Sequence, residues 1–187
     1  MRVRKAKEWS DELKDEIRRR YRHERGILIH KTNSKASRTT KEGQFYKVGD
    51  IVKVSKVTAG HLKVSFSFEG KQYFELVHRI VFFLEHGYCP PVIDHIDGNP
   101  ENNDPPNLRE ATQKQNTQNM RRNNQTKTSN FKGVHYNSRS GKWVAQIRDN
   151  EGNKVYIGQF DLEIDAAIVY NDYAYKYHGE FAVFNVI

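Results

Sequence analysis

The chain has 187 residues, 36% of them hydrophobic, and a formal charge of +8, which suits one compact domain plus a second small one, each with a small core. No apolar run approaches the roughly 20 residues of a membrane span, no apolar signal stretch follows Met1, and a cytoplasmic setting is expected. The single Cys89 excludes an internal disulfide framework and a multi-cysteine zinc site.

Residues 9–25 predict a helix, with Ser10 as N-cap and Leu13, Ile17 and Tyr21 spaced at i, i+4 and i+8. Arg18, Arg19, Arg20, Arg22 and Arg25 occupy its other faces. It is either a basic arm on DNA or a charged helix lying on the body. Residues 26–77 predict a β-rich region, with short runs at 27–30, 51–57, 61–66 and 71–76 and turns at Ala59-Gly60 and Glu69-Gly70. Residues 32–43 are rich in Ser, Thr and Lys and are expected to form a mobile loop.

Residues 77–86 predict a buried helix, with Ile80, Val81, Phe83 and Leu84 on its apolar side and Gly87 ending it. His78 and Arg79 open it, placed either to reach a phosphate or to brace the fold. A strand end follows in Ile93-Asp94-His95-Ile96-Asp97-Gly98-Asn99. Residues 99–106 hold three Asn and three Pro, which is turn chemistry. Residues 110–122 then predict a polar helix, and residues 121–130 a linker.

Residues 131–187 predict a second unit. Trp143, Ala145 and Ile147 alternate with Lys142, Val144, Gln146 and Arg148, and residues 154–158 alternate in the same way. Asp161 is expected to cap a helix through residue 177, whose Ala166, Ala167 and Ala174 permit close packing on a sheet; Gly179 stops it. Three strands backed by one helix leave open a face of Lys142, Gln146, Arg148, Lys154 and Tyr156, and β-sheet faces enter the DNA major groove, where Arg, Lys and Gln read base edges. No acidic residue lies between Glu110 and Asp149, whereas Lys114, Arg121, Arg122, Lys127, Lys132, Arg139, Lys142 and Arg148 do. Such a one-signed block is a nucleic-acid track or a solvated basic surface.

Asp94, His95 and Asn116 make a parts list for cutting a phosphodiester bond. Hydrolysis needs a base for water, neutralisation of developing charge and support for the leaving oxygen. The imidazole of His95, with an ordinary pKa near about 6.5, suits the first. A hard cation such as Mg²⁺ suits the others and needs only one or two protein oxygens, here Asp94 and the Asn116 side-chain oxygen. Adjacent strand residues point to opposite faces, so Asp94 and His95 share a site only at a distorted strand end or around an edge. Asn107 is expected to bond backbone across the loop. Asn119 lies on the Asn116 face, and Arg109 either binds phosphate or pairs with an acid.

The segments His78-Arg79-Ile80, Ile93-Asp94-His95-Ile96-Asp97-Gly98-Asn99, Asn107-Leu108-Arg109 and Gln115-Asn116 closely resemble the HNH homing endonucleases of phages. The resemblance implies an α+β protein with a ββα-metal core, a two-stranded ribbon and helix around one divalent ion (Mg²⁺ or Mn²⁺). It implies Asp94 and Asn116 as metal ligands, His95 as general base and Asn107 as the middle, structural position of the catalytic set. Many members have His where Asn116 stands.

Phe131-Lys132-Gly133-Val134, Trp143-Val144-Ala145-Gln146-Ile147-Arg148, Tyr156-Ile157-Gly158-Gln159-Phe160 and Asp165-Ala166-Ala167 resemble the Apetala-two/ethylene-response-factor DNA-binding domain. The resemblance implies DNA contacts at Lys132, His135, Arg139, Gln146, Arg148, Lys154 and Tyr156. Several family arginines are Lys, His or Gln here, so base preference does not carry over.

The expected organisation is a basic N-terminal helix (1–25), a small β-rich region (26–77), an HNH core (78–122), a linker (123–130) and a three-stranded sheet plus helix (131–187). The expected function is metal-dependent, site-selective cleavage of double-stranded DNA by a monomer or homodimer, in the host cytoplasm if phage-encoded and away from membranes. The acid-free block, including Arg121 and Arg122, would follow the backbone. The rivals are a DNA-binding regulator with an inactive core and a non-specific phage nuclease. RNA is disfavoured, because a sheet face suited to the B-form major groove does not enter the narrow A-form one.

Overall fold

The computed structural model describes residues 8–35, 45–119 and 128–187. Arg121 and Arg122, most of the 123–130 linker, residues 1–7 and residues 36–43 of the expected loop lie outside the described residues. The chain forms two compact units, Met1–Thr112 and Gln113–Ile187.

In the first unit, helix α1 (Asp11–Arg20) begins where the Ser10 hydroxyl accepts from the Leu13 N–H at 3.3 Å. Leu13 and Ile17 are buried in the core, so the helix is packed on the body along its apolar stripe. Glu16 is buried too, and Arg19 and Arg20 close on its carboxylate at 2.8 and 2.5 Å. The helix is shorter than the 9–25 span expected. At Tyr21 the backbone turns extended, and β1 (Tyr21–Glu24) pairs with β2 (Ile27–His30). Tyr21 joins the same core from a strand, so its position at i+8 fits burial without requiring helix.

A short pair follows, β3 (Ser34–Lys35) with β4 (Phe45–Tyr46). The run at 51–57 makes less strand than its alternation predicts. It supplies one bridge, Ile51 to Ile29, and the two-residue β5 (Ser55–Lys56). Strands β6 (Leu62–Phe68) and β7 (Lys71–Leu76) complete that sheet. The tight turn between them places Glu69 and Gly70 at φ 48° and 72°, the geometry that matches strand twist.

Helix α2 (Val77–His86) runs through the core with Ile80, Val81, Phe82 and Phe83 buried. It ends at Gly87, whose φ of 80° closes the last turn onto the Phe83 carbonyl. Next comes an antiparallel ribbon of β8 (Ile93–His95) and β9 (Leu108–Glu110), with Asp94 opposite Arg109 and His95 opposite Leu108. The helix expected over 110–122 is therefore cut back at its start. Leu108–Glu110 is ribbon, and α3 (Gln113–Asn119) falls in the second unit.

The second unit holds an antiparallel sheet in the order β10 (Val134–Asn137), β11 (Lys142–Arg148), β12 (Lys154–Phe160), backed by α4 (Glu163–His178). Ala166, Ala167 and Ala174 are fully buried and bring the helix close to the strands. Gly133 is needed at the same interface. It has φ 76°, and a Cβ there would lie 2.0 Å from the Tyr170 ring. Residue 162, not Asp161, is the N-cap of α4, and Asp161 instead meets Lys142 at 3.1 Å.

The sheet departs from simple alternation at one place. Ala145 pairs with Gly158 but Gln146 pairs with Tyr156, so Ile157 is an extra residue in β12. Ile157 and Phe160 both pack against the helix-side core. Strict alternation would have put Phe160 on the same face as Tyr156. Val144, expected on the open face, is buried, at 5% exposure. No helix among the described residues is long and apolar enough to cross a membrane.

Candidate active site

Asp94 and His95 sit side by side on β8, both buried, at 2% and 6% exposure. Arg109, directly across the ribbon, donates from Nε to Asp94 Oδ2 at 2.9 Å. Its Nη2 lies 2.8 Å from the same oxygen, as an ion-pair contact. Of the two roles open to Arg109, the structure shows the acid pair.

His95 Nε2 lies 3.2 Å from Asn103 Oδ1. Asn103 directs its amide nitrogen to the Glu101 carbonyl at 3.2 Å. Its oxygen therefore faces His95, and an amide oxygen only accepts. It follows that His95 Nε2 carries the proton and Nδ1 carries the lone pair. Burial pushes the His95 pKa below its ordinary value, opposed by the Asn103 bond and the nearby Asp97 and Asp94 carboxylates. The ring is held neutral, as proton abstraction requires.

The loop between the two ribbon strands is tied to itself. Asn107 Oδ1 accepts from the Asp97 N–H at 3.0 Å. Asn107 Nδ2 donates to Asp97 Oδ1 at 3.0 Å and to the Asn102 carbonyl at 2.8 Å. Asp97 Oδ2 accepts from Asn102 Nδ2 at 2.7 Å. Partial burial raises the Asp97 pKa, but these bonds and the Asn99 N–H outweigh it and hold the carboxyl below its usual range. Asn107 thus touches loop backbone and Asp97.

Two more imidazoles stand against His95. The rings of His61 and His78 lie 5.4 and 5.1 Å from it, centroid to centroid, and 5.0 Å from each other. Burial, with help from its neighbours, pushes the His78 pKa down to about 2. His61 lies in the turn before β6 and is half-buried. Neither Asn103 nor His61 is distinguished by its sequence neighbourhood, because both reach His95 by tertiary contact.

Asn116 lies on α3, in the second unit. A hard divalent ion suits the Asp94 carboxylate chemically. One buried carboxylate oxygen can anchor Mg²⁺ or Mn²⁺ with water and phosphate completing the shell. The Arg109 contact occupies Oδ2, so such an ion would share or displace that pairing.

On the sheet unit, Arg139, Arg148, Lys154 and Tyr156 are exposed, whereas Lys132, His135, Lys142 and Gln146 are half-buried. Arg148 Nη1 donates to the Gly152 carbonyl at 2.7 Å. Lys132 Nζ donates to the Gln118 carbonyl at 2.5 Å, and burial pushes its pKa down to about 8. A cavity of about 610 Å³ in this unit is lined by Lys114, Lys132, Arg148, Lys154 and His178, among others, so cations predominate over Asp149.

Residues 75–118 match the sequence model of the HNH endonuclease family. That segment carries Asp94, His95, Asn103, Asn107, Arg109 and Asn116. Over 57 residues the chain is 40% identical to "Dehydration-responsive element-binding protein 2D" of Arabidopsis thaliana, covering 30% of this chain. The match spans only 27% of that relative's length. The chain thus carries a segment similar to the HNH endonuclease family and a stretch similar to part of a plant DNA-binding protein.

Proposed function

We propose that the protein is a metal-dependent, site-selective DNA endonuclease of the homing-endonuclease kind, using Mg²⁺ or Mn²⁺. The observation that carries this reading is the buried Asp94–His95 pair, with the His95 lone pair directed to Nδ1, inside the HNH-matching segment. His95 Nδ1 takes the proton from the attacking water. Asp94 would hold a divalent ion through a carboxylate oxygen, and Arg109 balances that carboxylate. When bound, the ion supplies charge neutralisation at the phosphate and support for the leaving oxygen. Asn107 keeps the loop closed behind the pair, and Asn116 is assigned as the second oxygen ligand.

The sheet is the DNA reader, with Gln146, Arg148, Lys154 and Tyr156 on one face by register and His135, Arg139 and Lys142 around it. Lys132 contributes near its edge. Arg121 and Arg122 track the backbone. One catalytic set per chain makes a nick the product of a monomer, and two cuts need two chains or two events.

The test is cleavage of supercoiled plasmid with Mg²⁺ or with chelator, comparing wild type with His95→Ala and Asn116→Ala. The expected outcome is metal-dependent nicking or linearisation that both variants lose. Binding without cleavage by wild type would favour a DNA-binding regulator, and random cut positions would favour a non-specific nuclease.

A further inference from the structure

His61, His78 and His95 come from three separate parts of the first unit: the turn before β6, helix α2 and strand β8. One ring nitrogen from each lies within 4.8 Å of the others. His78 is 6% exposed, and its Nδ1 is buried with no hydrogen-bond partner among the described residues. A buried ring nitrogen left in that condition costs free energy unless something meets it. Three neutral imidazoles also lack the negative charge that would attract a hard cation.

We propose that His61, His78 and His95 form a three-imidazole site for a borderline transition ion, Zn²⁺ in the first instance, separate in donor chemistry from the carboxylate site at Asp94. Imidazole nitrogen is a preferred ligand for Zn²⁺, and three of them with one open position is an accepted zinc geometry. Zn–N bonds of about 2.0 Å place tetrahedral ligand nitrogens about 3.4 Å apart. The ligand nitrogens, now within 4.8 Å of one another, need to close by up to about 1.4 Å, which side-chain rotation provides. His61 is half-buried and gives an ion its entry path. The His95 ring is held in place by its Nε2 contact with Asn103 at 3.2 Å.

The site has a consequence that rests on the proposed function. An ion bound to the His95 ring competes for the lone pair that would accept the proton of water. Zn²⁺ is then an inhibitor of the Mg²⁺-dependent reaction, and His61 and His78 set its affinity.

The experiment is calorimetric titration of chelator-stripped, full-length protein with Zn²⁺ in excess Mg²⁺, with Co²⁺ visible absorption as an independent report of nitrogen coordination. One ion per chain is expected. His61→Gln and His78→Gln should each weaken binding by about 10-fold or more, and Asp94→Asn should leave it within a few-fold of wild type. Circular dichroism melts establish that each variant is folded. If His78→Gln fails to fold, His61→Gln, at a half-exposed position, carries the test. No Zn²⁺ binding, or binding equally tight in a folded His61→Gln, overturns the site. Cleavage assays then separate the two readings. Zn²⁺ should slow wild type and spare His61→Gln. Zn²⁺ that binds through the histidines without slowing cleavage leaves the site standing and removes His95 from the role of base.

Discussion

A Cβ added at Gly26 would lie 2.3 Å from both the carbonyl carbon and the carbonyl oxygen of Asn103. The β1–β2 turn thus abuts the loop residue that orients His95. Gly26 also has φ 78°, so alanine there is opposed twice, by backbone conformation and by contact. Gly26→Ala is expected to cost about 2 kcal/mol or more, read by denaturant unfolding. Cleavage should fall further than the loss of folded protein explains, because Asn103 must shift.

Asn103→Ala removes the acceptor of the His95 Nε2–H. Cleavage should drop by about 10- to 100-fold. The hydrogen bond favours the protonated ring, so its loss lowers the His95 pKa, and the acid limb of the pH–rate profile moves to lower pH. Asn103→Asp should move that limb the other way. A pure loss of stability would leave the limb in place.

Arg109→Ala takes the guanidinium from a carboxylate that is 2% exposed. The expected cost in metal-free protein is about 3 kcal/mol. Mg²⁺ should recover part of it by supplying positive charge at Asp94, so the metal-induced rise in Tm should exceed that of wild type. An equal rise in both proteins would count against Asp94 as a metal ligand.

His30 and His78 both have pKa values depressed by burial. The unfolded chain binds protons that the folded chain refuses, so stability is present above about pH 6.5 and is lost as pH falls. For His78 alone the slope amounts to about 2 kcal/mol between pH 6.5 and 5. Melts in chelator across that range should show His78→Gln losing less stability than wild type.

Arg148→Ala and Lys154→Ala should weaken DNA binding, and each should shrink the slope of log affinity against log salt by about 1 if its cation neutralises one phosphate. Tyr156→Ala, at an exposed ring on the same face by register, should weaken binding without changing the slope. Plasmid retardation over a salt series measures all three.

The amino-acid sequence by itself determined the elements whose signals are local. The α2 span with its Gly87 stop, the Ser10 cap, the Glu69-Gly70 turn and the three-strand-plus-helix second unit follow from periods of two or 3.6 residues and from glycine at positive φ. The Asp94-His95 pair and the Asn-rich loop after it were equally visible. What only the tertiary structure decided is which side chains meet. That Arg109 pairs with Asp94, that Asn103 assigns the His95 proton, and that His61 and His78 stand against His95 depend on ribbon register and on packing between distant segments. The bulge at Ile157 and the switch from helix to strand at Tyr21 belong with these. In both, an apolar residue goes to the nearest core, and the backbone departs from its local period to let it.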